Sequence, residues 1–147
     1  RRLLREIAGS AVELRRAGAK DVERILEIQS LAHEASQWTA EDYLTYDCHV
    51  AISNGVIAGF LVSRGIEGVE REILNVAVRP DMRRCGIASE LIRAEIERWP
   101  GTHFLEVRES NGPARALYQR LGFVDVGVRR DYYDDPPEAA IVMRIHS

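Results

Sequence analysis

The residues that could bind a phosphate stand between a predicted strand and a predicted helix, in the segment RRCGIA at residues 83–88. The segment holds no Ser, Thr, Asp or Asn, the residues whose side chains usually cap the free N–H groups of a first helical turn. The helix dipole and two arginines bring positive charge to the same place, and Gly86 lets the backbone approach a ligand closely. The segment is therefore either a phosphate site or a solvent-capped helix end with two surface arginines. It matches neither the P-loop nor the dinucleotide-binding pattern.

Two side chains further along the chain could move protons. Glu106 interrupts an otherwise apolar run, FLEV at residues 104–107, and a carboxylate in apolar surroundings is a suitable general base. Alternate residues of a strand share a face, so Glu106 lies on the same side as Phe104. Glu106 could therefore also face solvent at a strand edge. Tyr118 follows Asn111 by seven residues, about two turns along one helical face. It could be an acid at the same site as Asn111, or a core tyrosine packed with the leucines of its helix.

The elements that must position these residues alternate between strand and helix periods. Two turn signals stand out: Asn54-Gly55 predicts a tight hairpin, and Thr39 followed by Asp42 predicts a capping box. The predicted strands are Val12 to Arg16, His49 to Ser53, Val56 to Ser63, Glu72 to Val78, His103 to Val107, Phe123 to Arg130 and Ala139 to Ile145. The predicted helices are Asp21 to His33, a short one after Thr39, Cys85 to Trp99 and Pro113 to Leu121. This order predicts an α/β (α+β) fold with a mixed, mostly antiparallel central sheet flanked by helices.

Composition narrows the class of protein. The chain has 147 residues, of which 46% are hydrophobic and 29% charged, and its net charge is −3. These values predict a globular domain over residues 11–147, preceded by an extension over residues 1–10 that is a loose tail or a short helix. We expect no nucleic-acid partner because no basic stripe is present, and no membrane contact because no apolar run approaches 20 residues. Two cysteines without a CxxC pair and four scattered histidines predict no metal site and a cytoplasmic location.

Three segments together resemble the Gcn5-related N-acetyltransferases, the GNAT family. RRCGIA follows LNVAVRP at residues 74–80, LEVRESN at 105–111 runs into ALYQRLGF at 116–123, and RRDYY at 129–133 precedes AIVM at 140–143. Because the motifs occur in the family's order, the chain is identified as a member. Within the family it is most similar to the bacterial enzymes that acetylate the N-terminal alanine of a ribosomal protein, the RimI type. Ala88 departs from the second glycine that many members have.

The resemblance implies a role for each matching residue. Acetyl-CoA would lie against Val76, Ala77, Val78, Arg83, Arg84, Cys85, Gly86, Ile87, Ala88, Ser89 and Asn111. Glu106 would accept the proton of the acceptor amine through water, and Tyr118 would protonate the departing thiolate. A backbone N–H near Val78 would meet the oxyanion. Cys85 is interpreted as packing in the cofactor loop rather than as an acetyl carrier.

The acceptor side is predicted from Trp38, Tyr132 and Tyr133, with an acidic loop at residues 134–138. Rings beside carboxylates suit a basic N-terminal peptide, although a solvated hairpin loop and a core Trp38 explain the same residues. The favoured function is transfer of an acetyl group from acetyl-CoA to a protein N-terminus, with a small-subunit ribosomal protein as the acceptor. An α-amine has a pKa of about 7.7–8.0 against about 10.4 for lysine, so a modest base suffices. The alternatives are a small-amine or lysine acetyltransferase and a CoA-binding domain without turnover.

Overall fold

The computed structural model describes residues 3–7, 10–32, 37–83, 85–134 and 137–147. In these residues eight strands form one sheet with the order β1-β2-β3-β4-β5-β6-β8-β7. The strands are β1 (Leu3–Ile7), β2 (Ser10–Arg16), β3 (Asp47–Ser53), β4 (Val56–Gly65), β5 (Glu70–Val78), β6 (Thr102–Arg108), β7 (Val124–Asp134) and β8 (Pro137–His146). The helices are α1 (Val22–Leu31), α2 (Ala40–Thr45), α3 (Ile87–Arg98) and α4 (Gly112–Leu121). The mixed, mostly antiparallel sheet predicted from the sequence is confirmed.

Local sequence signals place several of these boundaries as predicted. Asn54 and Gly55 have φ values of 51° and 79°, which is the positive-φ pair that a tight hairpin turn needs. Thr39 and Asp42 form the predicted capping box, with the Thr39 N–H donating to Asp42 Oδ2 at 2.8 Å. Gly122 ends α4 in a left-handed conformation, as expected for a C-terminal stop. The predicted end of the first helix at His33 lies outside the described residues.

The N-terminal extension is a strand, so the prediction of a tail or short helix over residues 1–10 was wrong for Leu3–Ile7. This segment pairs antiparallel with β2, from Leu3 opposite Leu14 to Ile7 opposite Ser10. Its Arg5 side chain reaches α3, with Nη2 2.5 Å from Glu97 and Nε 3.6 Å from Glu90. The sequence LLREI lacks a period of two, so the pairing depends on the backbone edge that β2 offers rather than on a local pattern.

Helices cover both faces of the sheet. Leu61 on β4 packs in a core with α3 and α4, while its neighbours Phe60 and Val62 pack in a second core with α1 and α2. Adjacent strand residues point to opposite faces, so the two cores lie on opposite sides of the sheet. Among the described helices, none is long and apolar enough to cross a membrane.

The sheet opens between its two parallel strands. Pairing of β5 with β6 runs from Glu70 opposite Thr102 to Ile73 opposite Leu105 and stops there. At this point the β4–β5 register shifts, because Ser63 lies opposite Ile73 whereas Val62 lies opposite Asn75. The extra residue is Leu74, and a bulge of this kind bends its strand. Beyond Leu74, β5 stays paired with β4 and β6 stays paired with β8. This leaves a wedge between β5 and β6.

A buried ionic cluster lies just below the wedge. Arg71 and His103 face each other in the β5–β6 register, and Glu95 of α3 is fully buried between them. Glu95 Oε2 lies 3.2 Å from both Arg71 Nε and His103 Nε2, and Arg98 Nη1 donates to Oε1 at 3.3 Å. Burial alone would raise the pKa of Glu95, but hydrogen bonds from His103 and Ser63 and the charge of Arg71 lower it. Glu95 is therefore a carboxylate with both oxygens occupied, tying α3 to the base of the wedge.

Candidate active site

The wedge continues into a cleft of about 1310 Å³ between the carboxyl ends of β5 and β6 and the amino ends of α3 and α4. Because β6 turns away after Leu105, backbone groups on the free side of residues 74–78 face this space rather than a partner strand. Nine of the residues predicted to bind acetyl-CoA line the cleft. They are Val76, Ala77, Val78, Arg83, Gly86, Ile87, Ala88, Ser89 and Asn111.

The N-terminus of α3 has the features expected of an anion site. Gly86 occupies the capping position with φ 82° and ψ 9°, and no side chain among the described residues caps the helix there. The helix begins at Ile87 rather than at the predicted Cys85, because the left-handed Gly86 sets the first turn. Arg83 Nε donates to the Val78 carbonyl at 3.4 Å, which ties this loop to the end of β5. Arg84 lies outside the described residues.

Cys85 does not line the cleft. It is exposed, and its Sγ lies 3.6 Å from the carbonyl oxygen of Arg83, on the same short loop. Cys85 is therefore a residue of the loop, as interpreted from the sequence, but it is not among the residues that line the cofactor cleft, where it was also expected.

Asn111 and Tyr118 stand at the wall formed by α4. Asn111 caps the helix, with its Oδ1 accepting from the Ala114 N–H at 3.2 Å, a role that the family comparison did not predict. Within the described part of the chain, the amide N–H groups of Asn111 have no recorded acceptor and face the cleft that this residue lines. Tyr118 is 8% exposed and packs on Phe123 with ring centroids 5.9 Å apart. Tyr118 belongs to the core and also lines the cleft, so the two interpretations of this residue are compatible.

Glu106 lines the same cleft, and its surroundings are not apolar as predicted. Arg129 of β7 donates from Nη1 to Glu106 Oε1 at 2.7 Å. The Glu106 side chain is 15% exposed, and its Oε2 is buried with no hydrogen-bond partner in the described part of the chain. The Arg129 guanidinium therefore holds one of the two carboxylate oxygens of Glu106. The predicted alternation holds, since Leu105 and Val107 are buried while Phe104 and Glu106 are half-buried.

Tyr132 and Tyr133 approach Glu106 because β7 is irregular there. Arg129 pairs with Ala140 and Tyr133 pairs with Glu138. Between these two pairs, β7 therefore advances by four residues while β8 advances by two. Asp131, inside this irregularity, has a φ of 54°, a conformation that aspartate tolerates better than most residues. Burial first and the nearby Glu106 carboxylate second raise the pKa of both tyrosines. Such a bulge re-aims side chains, and here it brings two phenol rings to the site.

Each of these tyrosines also stacks under an arginine. The Arg129 guanidinium lies 4.3 Å from the ring centroid of Tyr132, and that of Arg108 lies 4.1 Å from the ring centroid of Tyr133. Tyr133 lines the cleft, whereas Tyr132 does not and is 44% exposed. The two predicted acceptor residues therefore differ in position, with Tyr133 on the wall and Tyr132 at the outer side of the Glu106–Arg129 pair.

Trp38 was predicted either at the entrance or in the core, and it packs against the second core and is not among the residues that line the cleft. Its ring packs against Tyr43 and Tyr46, with centroids 5.4 Å and 5.5 Å away. Gln29 of α1 binds both backbone groups of Trp38, at 2.9 Å and 3.0 Å. This anchoring places the preceding residue, Gln37, on the wall of the cleft, and no motif in the sequence predicted that position.

The acidic loop predicted at residues 134–138 is largely strand, because β7 extends to Asp134 and β8 begins at Pro137. Glu138 is engaged within the fold: it accepts from the Ser110 N–H at 2.5 Å and pairs with Arg108 at 3.4 Å. These bonds lower the pKa of Glu138. Asp134 lines the cleft, and Asp135 lies outside the described residues. Of the two described acidic residues in this group, Asp134 reaches the site and Glu138 does not line it.

Comparison with known proteins agrees with this geometry. The family model described as "Acetyltransferase (GNAT) family" matches residues 19–123. A [ribosomal protein bS18]-alanine N-acetyltransferase of Haemophilus influenzae is 35% identical over 140 residues, covering 85% of this chain and 92% of that protein. An N-alpha-acetyltransferase of Sulfurisphaera tokodaii is 29% identical, covering 91% of this chain and 93% of that protein.

A solved structure shows the same likeness in three dimensions. The ribosomal-protein-S18-alanine N-acetyltransferase from Escherichia coli aligns with a TM-score of 0.82 and 30% identity, covering 91% of this chain and 92% of that one. The family model spans most of the chain, and the relatives match nearly its full length. This protein is a member of the GNAT family of acetyltransferases.

Proposed function

We propose that this protein transfers the acetyl group of acetyl-CoA to the N-terminal α-amine of a protein, with the N-terminal alanine of a small-subunit ribosomal protein as the acceptor. The observation that carries the proposal is the wedge between β5 and β6, which opens into a cleft lined by both Glu106 and Tyr118. The names of the relatives support the choice of acceptor, since the H. influenzae protein is named for the alanine of ribosomal protein bS18.

The residues present fit acetyl-CoA. Uncapped N–H groups at the start of α3, together with Arg83, suit the pyrophosphate, because a helix N-terminus attracts anions. The free side of β5 at Val76 to Val78 offers backbone donors and acceptors to the amides of the pantetheine arm. Asn111 stands further along the same cleft, where its amide reaches that arm. The thioester then lies between Tyr118 and Glu106.

The acceptor amine must lose a proton before it attacks. Glu106 is the base, either directly or through one water, and its pairing with Arg129 holds the carboxylate in place. Near neutral pH an α-amine is already partly neutral, so this base need not be strong. The amine nitrogen bonds to the thioester carbon, and the carbonyl oxygen becomes an oxyanion that a backbone N–H near Val78 stabilises.

Collapse of the tetrahedral intermediate breaks the carbon–sulfur bond. The sulfur leaves as a thiolate and takes a proton from the hydroxyl of Tyr118, which gives free CoA and an acetylated N-terminus. Tyr118 is held for this step by Phe123 and by the buried face of α4. Holding both substrates in one cleft supplies a further part of the rate because the reacting atoms need not meet by diffusion.

Acetyl-CoA turnover on a short peptide beginning Ala-Arg tests the proposal, with the same peptide blocked at its N-terminus as the control acceptor. We expect product on the free peptide alone, and a loss of about 10²-fold or more in Tyr118→Phe. Tyr46→Phe is the matched enzyme control, because Tyr46 packs on Trp38 away from the cleft wall. Equal rates on both peptides would instead identify a lysine or small-amine enzyme.

A further inference from the structure

The two carboxylate oxygens of Glu106 have different surroundings. Oε1 is bound by Arg129 at 2.7 Å, whereas Oε2 is buried and has no hydrogen-bond partner among the described residues. A buried carboxylate oxygen without a donor costs free energy, so such an atom calls for a ligand or a water. Since Glu106 lines the cleft and Tyr132 approaches the same carboxylate, the donors within reach of Oε2 are the acceptor amine, a water and the Tyr132 hydroxyl.

Arg129 itself is restrained although it is 54% exposed. Its guanidinium lies over the Tyr132 ring at 4.3 Å while it binds Glu106. Stacking and ion pairing use different parts of a planar guanidinium, so the two contacts fix its orientation together. The irregular stretch of β7 that follows Arg129 makes this possible, because it turns Tyr132 back toward the same carboxylate.

We propose that Arg129 is a positioning residue for Glu106: it holds Oε1 and so leaves Oε2 as the oxygen that takes the proton of the acceptor amine. The inference rests on the proposed function, in which Glu106 is the base. Arg129 does not line the cleft and therefore acts through Glu106 rather than on either substrate.

The other charged groups near Glu106 have different contacts or point away from it. Arg108, on the same strand, is engaged over Tyr133 and with Glu138. Glu72 of β5 accepts from Arg64 at 2.9 Å. Arg130 follows Arg129 directly, and successive strand residues point to opposite faces. Arg130 is exposed, so it serves as a matched control for removal of one arginine from the same segment.

The contact can be tested without turnover. In protein labelled with ¹³C at the glutamate carboxyl carbons, the Glu106 signal is the one missing from Glu106→Gln. We expect this signal to move in Arg129→Gln at pH 7, to return toward its original place in Arg129→Lys and to stay unchanged in Arg130→Gln. A Glu106 signal that is the same in Arg129→Gln and wild type would overturn the proposal, whatever the acceptor is.

A double-mutant cycle tests the consequence, using the Ala-Arg peptide. Misplacing a reacting group by about 1 Å can cost up to about 10²-fold, so we expect Arg129→Gln to lower kcat about tenfold with the KM for acetyl-CoA unchanged. Arg129→Lys should recover most of that loss. In the Glu106→Gln background, Arg129→Gln should change kcat less than twofold, because its effect passes through Glu106. An additive tenfold loss in that background would contradict the inference, while acetylation of the blocked peptide by wild type would contradict only the proposed function.

Discussion

Glu95 and Glu106 are two buried or nearly buried carboxylates that lie on either side of the point where β5 and β6 separate. Glu95 has both oxygens bonded, to Arg71, His103 and Arg98, and is fully buried under α3. Glu106 has one oxygen bonded, to Arg129, and one oxygen without a partner in the described residues. Both therefore pair with arginine, yet one network is complete and the other is open toward a cleft.

The difference separates a charge that serves the fold from one that is available for chemistry. A carboxylate with all its acceptor positions filled has nothing to offer a substrate, and removing it leaves its cationic partners uncompensated. A carboxylate with an unfilled buried oxygen carries a cost that binding can relieve. The two sites therefore predict opposite outcomes for the same chemical change, glutamate to glutamine.

The largest expected effect is on the rate, at the open site. Glu106→Gln should lower the rate of acetyl transfer about 10²–10⁴-fold, the usual contribution of a general base. The free energy of unfolding should change by less than about 1 kcal/mol, because the broken ion pair has a largely exposed partner in Arg129. Steady-state kinetics and urea unfolding on the same preparation measure both. A variant that loses stability but keeps its rate would place Glu106 with the structural carboxylates.

At the closed site the same change should act on stability. Glu95→Gln removes the negative charge between Arg71, Arg98 and His103, so we expect the free energy of unfolding to fall by about 3–5 kcal/mol. Urea unfolding measures the loss, and Glu97→Gln on the same helix is the control. Glu97 is 56% exposed and pairs at the surface with Arg5, so its loss should cost under about 1 kcal/mol. Equal effects of the two variants would contradict the comparison.

A smaller effect should appear as a pH dependence beside the closed cluster. Burial first, and the charge of Arg98 second, lower the pKa of His49 to about 4. The unfolded chain protonates this histidine near pH 6.5, so it binds more protons than the folded chain between those values. Stability is then fully present above pH 6.5 and lost as pH falls toward 4, by about 2–3 kcal/mol.

Urea unfolding at pH 7.5, 6, 5 and 4 measures this loss. His49→Gln should flatten the pH dependence above pH 4.5, whereas His146→Gln, at an exposed position, should leave it as in wild type. If the two variants and wild type lose stability in parallel over that range, His49 is not the group that titrates.

The smallest effect is expected at Cys85. Its exposed thiol contacts the Arg83 carbonyl and does not reach the cleft wall, so Cys85→Ala should change the rate of transfer less than twofold. A covalent acetyl-cysteine would instead make this variant inactive and would leave a mass increase on the wild-type protein in the absence of acceptor. Intact-protein mass spectrometry after incubation with acetyl-CoA alone distinguishes these outcomes.

The predictable parts of the fold were those set by local chemistry. Asn54-Gly55 and the Thr39–Asp42 pair act within a few residues, so their turn and cap were readable from the sequence. The start of α3 was predicted to within two residues, at Cys85 instead of Ile87, because the lack of a capping residue in RRCGIA is a local feature of the sequence. By contrast, β1 depends on the edge of β2, and its LLREI sequence shows no alternation that would mark a strand.

The acceptor side was less predictable because it depends on pairing between distant segments. Glu106 and Arg129 are 23 residues apart, and only the irregular register of β7 on β8 decides which of two adjacent arginines reaches the carboxylate. The sequence left Trp38 open between the entrance and the core; the Gln29 side chain anchors it beside the second core, and Gln37 lines the cleft instead. Neither contact leaves a pattern within a single segment.

Tandem mass spectrometry on one peptide tests the central claim most directly. The peptide should begin with Ala-Arg and carry a lysine near its end, so that an α-amine and an ε-amine compete for the same acetyl-CoA. We predict a single added acetyl group, located on the N-terminal alanine by the fragment ions. Acetylation of the lysine at an equal or greater rate would contradict the account.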